Sequence, residues 1–305
     1  MIATIYKSTG SFYLAYDEAG TRWSCRIRGR LKIDDEISST NPIAVGDKVT
    51  LLIENEAEHV AIITAIERRD NYMVRTSPHN RHQKHIVAAN MDLALLVATV
   101  KEPRTSNGFI DRFLITAEAY HIPAIIVFNK ADLLKGKYAE EAQVRKAIYE
   151  AIGYPVFTAT AIKGDGLDQL AETLKGKTTL FSGHSGVGKS TLINYFIPDK
   201  NLRVQEVSGW SGKGQHTTTF AEMFDLPFGG RIIDTPGVKE FGIVDMEREE
   251  LSHYFPEMKN RLQECRFNNC IHINEPGCAV KAAVEAGHIS MARFESYVAI
   301  LSSLD

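Results

Sequence analysis

Three short stretches carry residue types that match the parts of a nucleoside triphosphate, and a fourth matches a metal ion. GHSGVGKST, residues 183 to 191, has the spacing glycine, four residues, Gly-Lys-Ser. Gly183, Gly186 and Gly188 let the N–H groups of the loop, with those of His184, Ser185 and Val187, wrap phosphate oxygens. Lys189 reaches the terminal phosphates, and Ser190, followed by Thr191, offers a hydroxyl to magnesium. A glycine-rich turn without ligand is the plain alternative, and a strand before it and a helix after it argue against that. DTPG, residues 234 to 237, places Asp234 to hold magnesium through water and the Gly237 amide to meet the terminal phosphate.

Choice of base falls to NKAD: Asn129, Lys130, Ala131 and Asp132. The Asp132 carboxylate can accept from both the N1 and N2 donors of guanine, which adenine lacks. Hydrogen bonds to charged groups are worth roughly 1.5 to 3 kcal/mol each, so leaving that anion unpaired selects against adenine. Asn129 is expected to brace the base edge and the phosphate loop, and the Lys130 stem to lie along the purine face. Thr160 and Ala161, at the end of FTATA, are expected to turn a backbone N–H toward the guanine carbonyl.

Cys265, Cys270, His272 and Cys278 follow Cys-x4-Cys-x-His-x5-Cys. Three thiolates and one imidazole fill a tetrahedral zinc shell and leave no position for water, so one structural zinc is expected. His253 and His288 are the alternative imidazoles, and scattered free thiols the plain alternative. Cys25 stands apart as a small core residue.

These groups need elements to position them. Residues 1 to 69 alternate apolar and polar in five short runs, which predicts a small barrel of either the oligonucleotide-binding (OB) or the SH3-like kind. From about residue 90 strands and helices alternate, and the strands are continuous apolar runs, as in a parallel sheet covered on both faces. This doubly wound α/β domain is assigned to residues 70 to 245. Residues 246 to 305 read as a helical, zinc-binding domain. In a doubly wound sheet the ligand sits at the carboxyl ends of the strands, so the loops need only meet there, whatever their order in the chain. Here the base motif precedes the phosphate loop, the order of a circularly permuted P-loop GTPase domain.

The order of the motifs, with the barrel before and the Cys/His tail after, resembles the family of circularly permuted GTPases that depend on the small ribosomal subunit. NKADLL, GHSGVGKSTLIN, GQHTTTF, DTPGV and CRFNNCIHINEPGCAV carry the resemblance across essentially the whole chain. It implies GTP hydrolysis to GDP stimulated by the small subunit, late in that subunit's maturation and near its rRNA decoding region. Residues 208 to 220, rich in glycine and hydroxyls, suit a switch loop ordered by the terminal phosphate. One of Thr217, Thr218 and Thr219 is expected to complete the magnesium shell. Val238 stands where Ras-type relatives carry a water-orienting glutamine, so His216 is either the catalytic group that orients water or a contact to RNA or solvent. Gln215 stands where the family usually shows arginine.

Arg26, Arg28, Arg30 and Lys32 fall on one face of a strand, with Trp23, Phe12 and Tyr13 as stacking surfaces, which suits RNA. A solvated face balanced by the acids at 34 to 36 is the alternative. The basic stretch 75 to 85 either reaches RNA or joins domains. The net charge of -3 excludes a globally basic nucleic-acid binder. Apolar runs are too short to cross a bilayer, so a cytoplasmic monomer without membrane contact is expected. An RNA-binding assembly factor that only reports GTP versus GDP is the second reading, and an ATP-using phosphoryl transferase is disfavoured by Asp132.

Overall fold

The computed structural model describes residues 1–27, 42–76, 84–200, 202, 221–235 and 246–304. Alternation of apolar side chains builds the first five strands: β1 (Ile2–Ser8), β2 (Tyr13–Asp17), β3 (Arg22–Ile27), β4 (Lys48–Asn55) and β5 (Val60–Ile66). Their inward positions, among them Ile5, Ala15, Trp23, Val49 and Ile63, form one core. The strands close in the order β1-β2-β3-β5-β4-β1, with β3 parallel to β5 and every other pair antiparallel. The result is a closed, OB-like barrel that leaves no free edge.

The same alternation corrects the expected stacking face. Trp23 and Tyr13 point into the barrel and are buried, Trp23 donating its indole N–H to Asp17 Oδ2 at 2.9 Å. Only Phe12 stays exposed. Arg26 does face outward, where its Nη2 donates to both carboxylate oxygens of Glu54 at 2.6 and 2.9 Å. Successive strand residues take opposite faces, so residue 23 cannot share a face with residue 26. Arg28, Arg30, Lys32 and the acids at 34 to 36 lie outside the described residues. Both ends of the expected linker at 75 to 85 belong to the antiparallel pair β6 (Tyr72–Thr76) and β7 (Lys84–Ala89), and residues 77 to 83 lie outside the described residues.

The central domain then runs β8 (Leu93–Ala98), α1 (Asn107–Ala119), β9 (Ala124–Phe128), α2 (Lys137–Ala151), β10 (Val156–Thr158), α3 (Leu167–Leu174), β11 (Thr178–Ser182), α4 (Lys189–Phe196), β12 (Glu222–Asp225) and β13 (Arg231–Asp234). Strands β10-β9-β8-β11-β13 are parallel. Every residue of β8 and β9 is buried, because helices cover both faces. Ile110, Phe113, Leu114 and Ala117 of α1, at helical spacing, and Tyr149 of α2 pack on one face. Leu167, Leu170 and Leu174 of α3, with Leu192, Ile193 and Phe196 of α4, pack on the other.

Strand β12, which the sequence pattern did not announce, runs antiparallel to β13 and also meets β1 of the barrel at Lys7↔Glu222. Barrel and central domain therefore share one sheet. The tail contains α5 (Pro256–Lys259), α6 (Ala279–Glu285) and α7 (Met291–Leu301), whose apolar side chains pack on Ile115 of α1. Its dock includes a largely buried ion network: Arg293 of α7 binds Asp111 of α1 and, at 2.7 Å, Glu257 of α5, while Tyr149 donates to Asp111 Oδ1 at 2.9 Å. Among the described residues no helix is long and apolar enough to cross a membrane.

Candidate nucleotide and metal sites

The carboxyl ends of β8, β9, β10, β11 and β13 lie on one edge of the parallel sheet, and the loops that leave them carry the predicted motifs. Asn129 follows β9 and is buried. Its Nδ2 donates to Val187 O of the phosphate loop at 2.9 Å, and its Oδ1 accepts from the Ala161 N–H at 3.0 Å. One amide thus ties three loops together, and residues separated by 58 positions in the chain become neighbours. Lys130 adopts a left-handed conformation and donates from Nζ to Glu102 O at 2.6 Å. Ala131, its N–H given to Ala159 O at 3.0 Å, leads into the short turn that holds Asp132 part-exposed beside the site.

Thr160 and Ala161 follow β10 and are buried. The Thr160 N–H is given to Asp165 O at 3.0 Å and the Ala161 N–H to Asn129. The first bond closes the turn after β10, and the second ties that turn to Asn129.

The phosphate loop opens at Gly183, where a Cβ would sit 2.4 Å from Val97 O, so only glycine fits against β8. Gly188 has φ +93°, and α4 begins at the next residue. Gly186, Lys189, Ser190 and Thr191 are part-exposed, and Ser185 is exposed. His184 stacks on Phe109 of α1 with ring centroids 3.6 Å apart, a contact that sequence spacing does not reveal.

Lys189 Nζ donates to Thr235 O at 3.0 Å and lies 3.4 Å from Asp234 Oδ1. Burial raises the Asp234 carboxyl above the usual range, the Lys189 ammonium pulls it back, and Glu222 adds to the rise. Asp234 Oδ1 has no hydrogen-bond partner among the described residues. A buried carboxylate oxygen with spare capacity suits a hard divalent cation such as magnesium. His216, Thr217, Thr218, Thr219 and Gly237 lie outside the described residues.

In the tail, one ligand atom each from Cys265, Cys270, His272 and Cys278 lies within 4.8 Å of the others. The imidazole faces the thiols through Nδ1, 3.3 Å from Cys278 Sγ and 3.8 Å from Cys265 Sγ. This donor set fits zinc, and His272 is the imidazole that joins the cluster, not His253 or His288. Burial pushes the Cys270 thiol up to about 12 and lowers the His272 imidazole from its ordinary value. Cys25 is a buried thiol in the barrel, also pushed up to about 12 by burial, and takes no part.

Glu275 was missed. Its carboxylate accepts from the N–H groups of Ile271, Ile273 and Asn274 at 2.7, 2.9 and 3.0 Å and so folds the loop that presents His272. Burial raises its carboxyl, and these bonds outweigh that and hold it below the ordinary value. A glutamate between an asparagine and a proline carries no spacing signal that marks such a role.

The profile of the RsgA GTPase family matches residues 66–244, and that of the RsgA N-terminal domain matches residues 3–62. Over the whole of this chain and 94% of its own length, the small ribosomal subunit biogenesis GTPase RsgA of Flavobacterium psychrophilum is 49% identical. The protein of the same name from Bacteroides fragilis is 48% identical over 99% of this chain and 96% of its own. Crystal structures of YjeQ from Thermotoga maritima, 33% identical, and of YloQ, described as a circularly permuted GTPase and 30% identical, superpose with TM-scores of 0.79 and 0.74. Each covers 99% of this chain, with 98% and 94% of their own chains matched. With near-complete coverage, the base and phosphate loops joined through Asn129 and a Cys3His cluster in the tail, the chain belongs to the RsgA GTPase family.

Proposed function

We propose that this protein hydrolyses GTP to GDP and phosphate, that the small ribosomal subunit stimulates the reaction, and that it acts late in that subunit's maturation in contact with its rRNA. The relatives' names, which state small-subunit biogenesis, support the biological setting. The observation that supports the chemical reading is the Asn129 bridge, because it joins the loop that carries Asp132 to the glycine-rich loop that carries Lys189 at one edge of one sheet.

In this reading Asp132 accepts from the guanine N1 and N2 donors and Lys130 covers the purine face. Ala131 sets the turn, Ala161 holds Asn129 through its N–H, and the Thr160–Ala161 stretch faces the guanine carbonyl. Gly183 to Gly188 cradle the phosphates through backbone N–H groups, with Thr191 in the first turn of α4. Lys189 leaves Asp234 for the terminal phosphates and offsets the charge that spreads over their oxygens. Gly237 donates its N–H to the same group. Ser190, Asp234 and one of Thr217, Thr218 and Thr219 would hold magnesium, which would neutralise phosphate charge. His216 orients the attacking water, since Val238 has no polar atom with which to do so.

The units that go with these roles are a barrel of residues 1 to 69 that meets RNA, the GTPase domain of residues 70 to 245, and a zinc-folded tail of residues 246 to 305. The protein works as a cytoplasmic monomer, since one chain supplies every group named. Single-turnover hydrolysis with and without purified small subunits is the test. A rise of about 10³-fold or more is the order that partner-supplied acceleration reaches in related chemistry. An unchanged rate would leave the protein as an assembly factor that only reports which nucleotide it holds.

A further inference from the structure

Three charges stand side by side across one face of the shared sheet, and a fourth, from the first turn of α4, adjoins the last of them. Lys7 of β1 pairs with Glu222 of β12, and Glu222 pairs with Asp234 of β13. Directly opposed residues in antiparallel strands share a face, with Cβ atoms about 4.5 to 5.5 Å apart. Lys7 Nζ lies 2.8 Å from Glu222 Oε2, and at the other end Lys189 Nζ lies 3.4 Å from Asp234 Oδ1. The signs run plus, minus, minus, plus, from the barrel to the phosphate loop. Two carboxylates as direct neighbours repel, and they are tolerated here because each has its own cation. Glu222 is therefore the nearest fixed charge on the strand that borders Asp234, and its own cation comes from the other domain.

The geometry points to Lys7 and Glu222 as a positioning pair through which the barrel sets the magnesium affinity of the nucleotide site. This rests on the magnesium role given to Asp234 above. Neither residue touches nucleotide; each acts through the electrostatic field at Asp234. With Lys7 in place the Glu222 charge is largely offset. With Lys7 removed or drawn away, that charge stands bare beside Asp234 and favours a divalent cation. Any event that displaces β1 from β12, such as the barrel engaging an anionic partner, then changes magnesium affinity with no change in the nucleotide-binding loops.

The test is a magnesium chloride titration of the full chain with a fluorescent, non-hydrolysable GTP analogue, read as the magnesium concentration that half-saturates tight binding. Charge at this separation, near a protein surface, predicts shifts of about threefold at low salt. Lys7→Met should lower the half-saturating concentration, Glu222→Gln should raise it, and the double variant should return to within about twofold of the native value. Lys7→Arg, which keeps the charge, should leave it unchanged. Raising the salt to about 0.5 M should shrink both single shifts, since the Debye length is then well under 8 Å. A role confined to docking the barrel would move both single variants the same way; that outcome, or no shift in either, overturns the inference. If Lys7→Met does not fold, as judged by thermal unfolding, Lys7→Gln carries the same comparison. Failure of the native protein to bind the analogue with magnesium would instead overturn the proposed function, so the two are separable.

Discussion

Asn129 and Gly188 interlock: a Cβ built on the glycine would lie 2.3 Å from Asn129 Nδ2. The bond from that nitrogen to Val187 O, which joins base loop to phosphate loop, exists only because residue 188 has no side chain. At φ +93° any other residue would also be strained. Gly188→Ala should therefore part the two loops, with guanine nucleotide affinity falling at least about tenfold, which corresponds to 1.4 kcal/mol. Equilibrium binding of GDP checks it, and an unchanged affinity would mean that the contact is not needed for the site.

Asp132→Asn replaces a double acceptor by a group that also donates. Guanine affinity should fall by about 10² or more and xanthine affinity should rise, since xanthine offers a carbonyl where guanine has its amino group. Competition between GDP and XDP reads both changes, and retained preference for GDP removes Asp132 from the base site.

Zinc should enter the tail with release of protons. Burial places the metal-free Cys270 thiol at about 12, with Cys278 also raised, so at neutral pH both are protonated, whereas zinc binds thiolates. Adding zinc to metal-free protein in weak buffer should acidify it by about two to three protons per site, and zinc retention should fall as pH is lowered. Cys270→Ser should release fewer protons and hold less zinc by metal analysis. Equal zinc in that variant would exclude Cys270 from the shell.

Glu275→Gln tests the loop that presents His272. The Glu275 carboxyl is held below its ordinary value, so its contribution is present above the unfolded-state pKa and is lost as pH falls through the lower, folded-state value. The glutamine variant should lose the contribution at neutral pH and show a smaller decline in stability on acidification. Chelator-driven zinc loss should be faster in it than in the native protein. Indistinguishable kinetics would show that the three backbone bonds do not hold the zinc loop.

Arg293 joins the tail to α1 through Asp111, and both side chains are almost wholly buried. Removing one partner strands a charge, so Arg293→Met should destabilise by about 3 to 5 kcal/mol. Replacing both, as Asp111→Leu with Arg293→Met, should cost less than the single change. Denaturant unfolding of both variants decides it, and equal losses would mean that packing, not charge, governs this dock.

Much of this molecule is legible in its sequence, for reasons that are local. Alternation marked the five barrel strands, continuous apolar runs marked β8 and β9, and glycine spacing marked the phosphate loop, because each pattern reflects which faces of one element are buried. The four zinc ligands lie within fourteen consecutive residues, so their spacing alone announced a shell. The failures are equally physical. The alternation that exposes Arg26 buries Trp23, and β12, only four residues long, carries no periodicity to count.

What the sequence determined by itself is the inventory of groups: the Asp132 carboxylate, a glycine-rich loop with Lys189, the Asp234 carboxylate and a Cys3His set. What only the tertiary structure decided is which distant groups share a field or a hydrogen bond. Asn129 with Val187, His184 with Phe109, Asp111 with Arg293, and Lys7 with Glu222 and Asp234 are all brought together by strand order and helix packing. Side-chain chemistry is written residue by residue, but proximity between elements depends on how the whole chain buries its apolar surface, and no short stretch of sequence contains that.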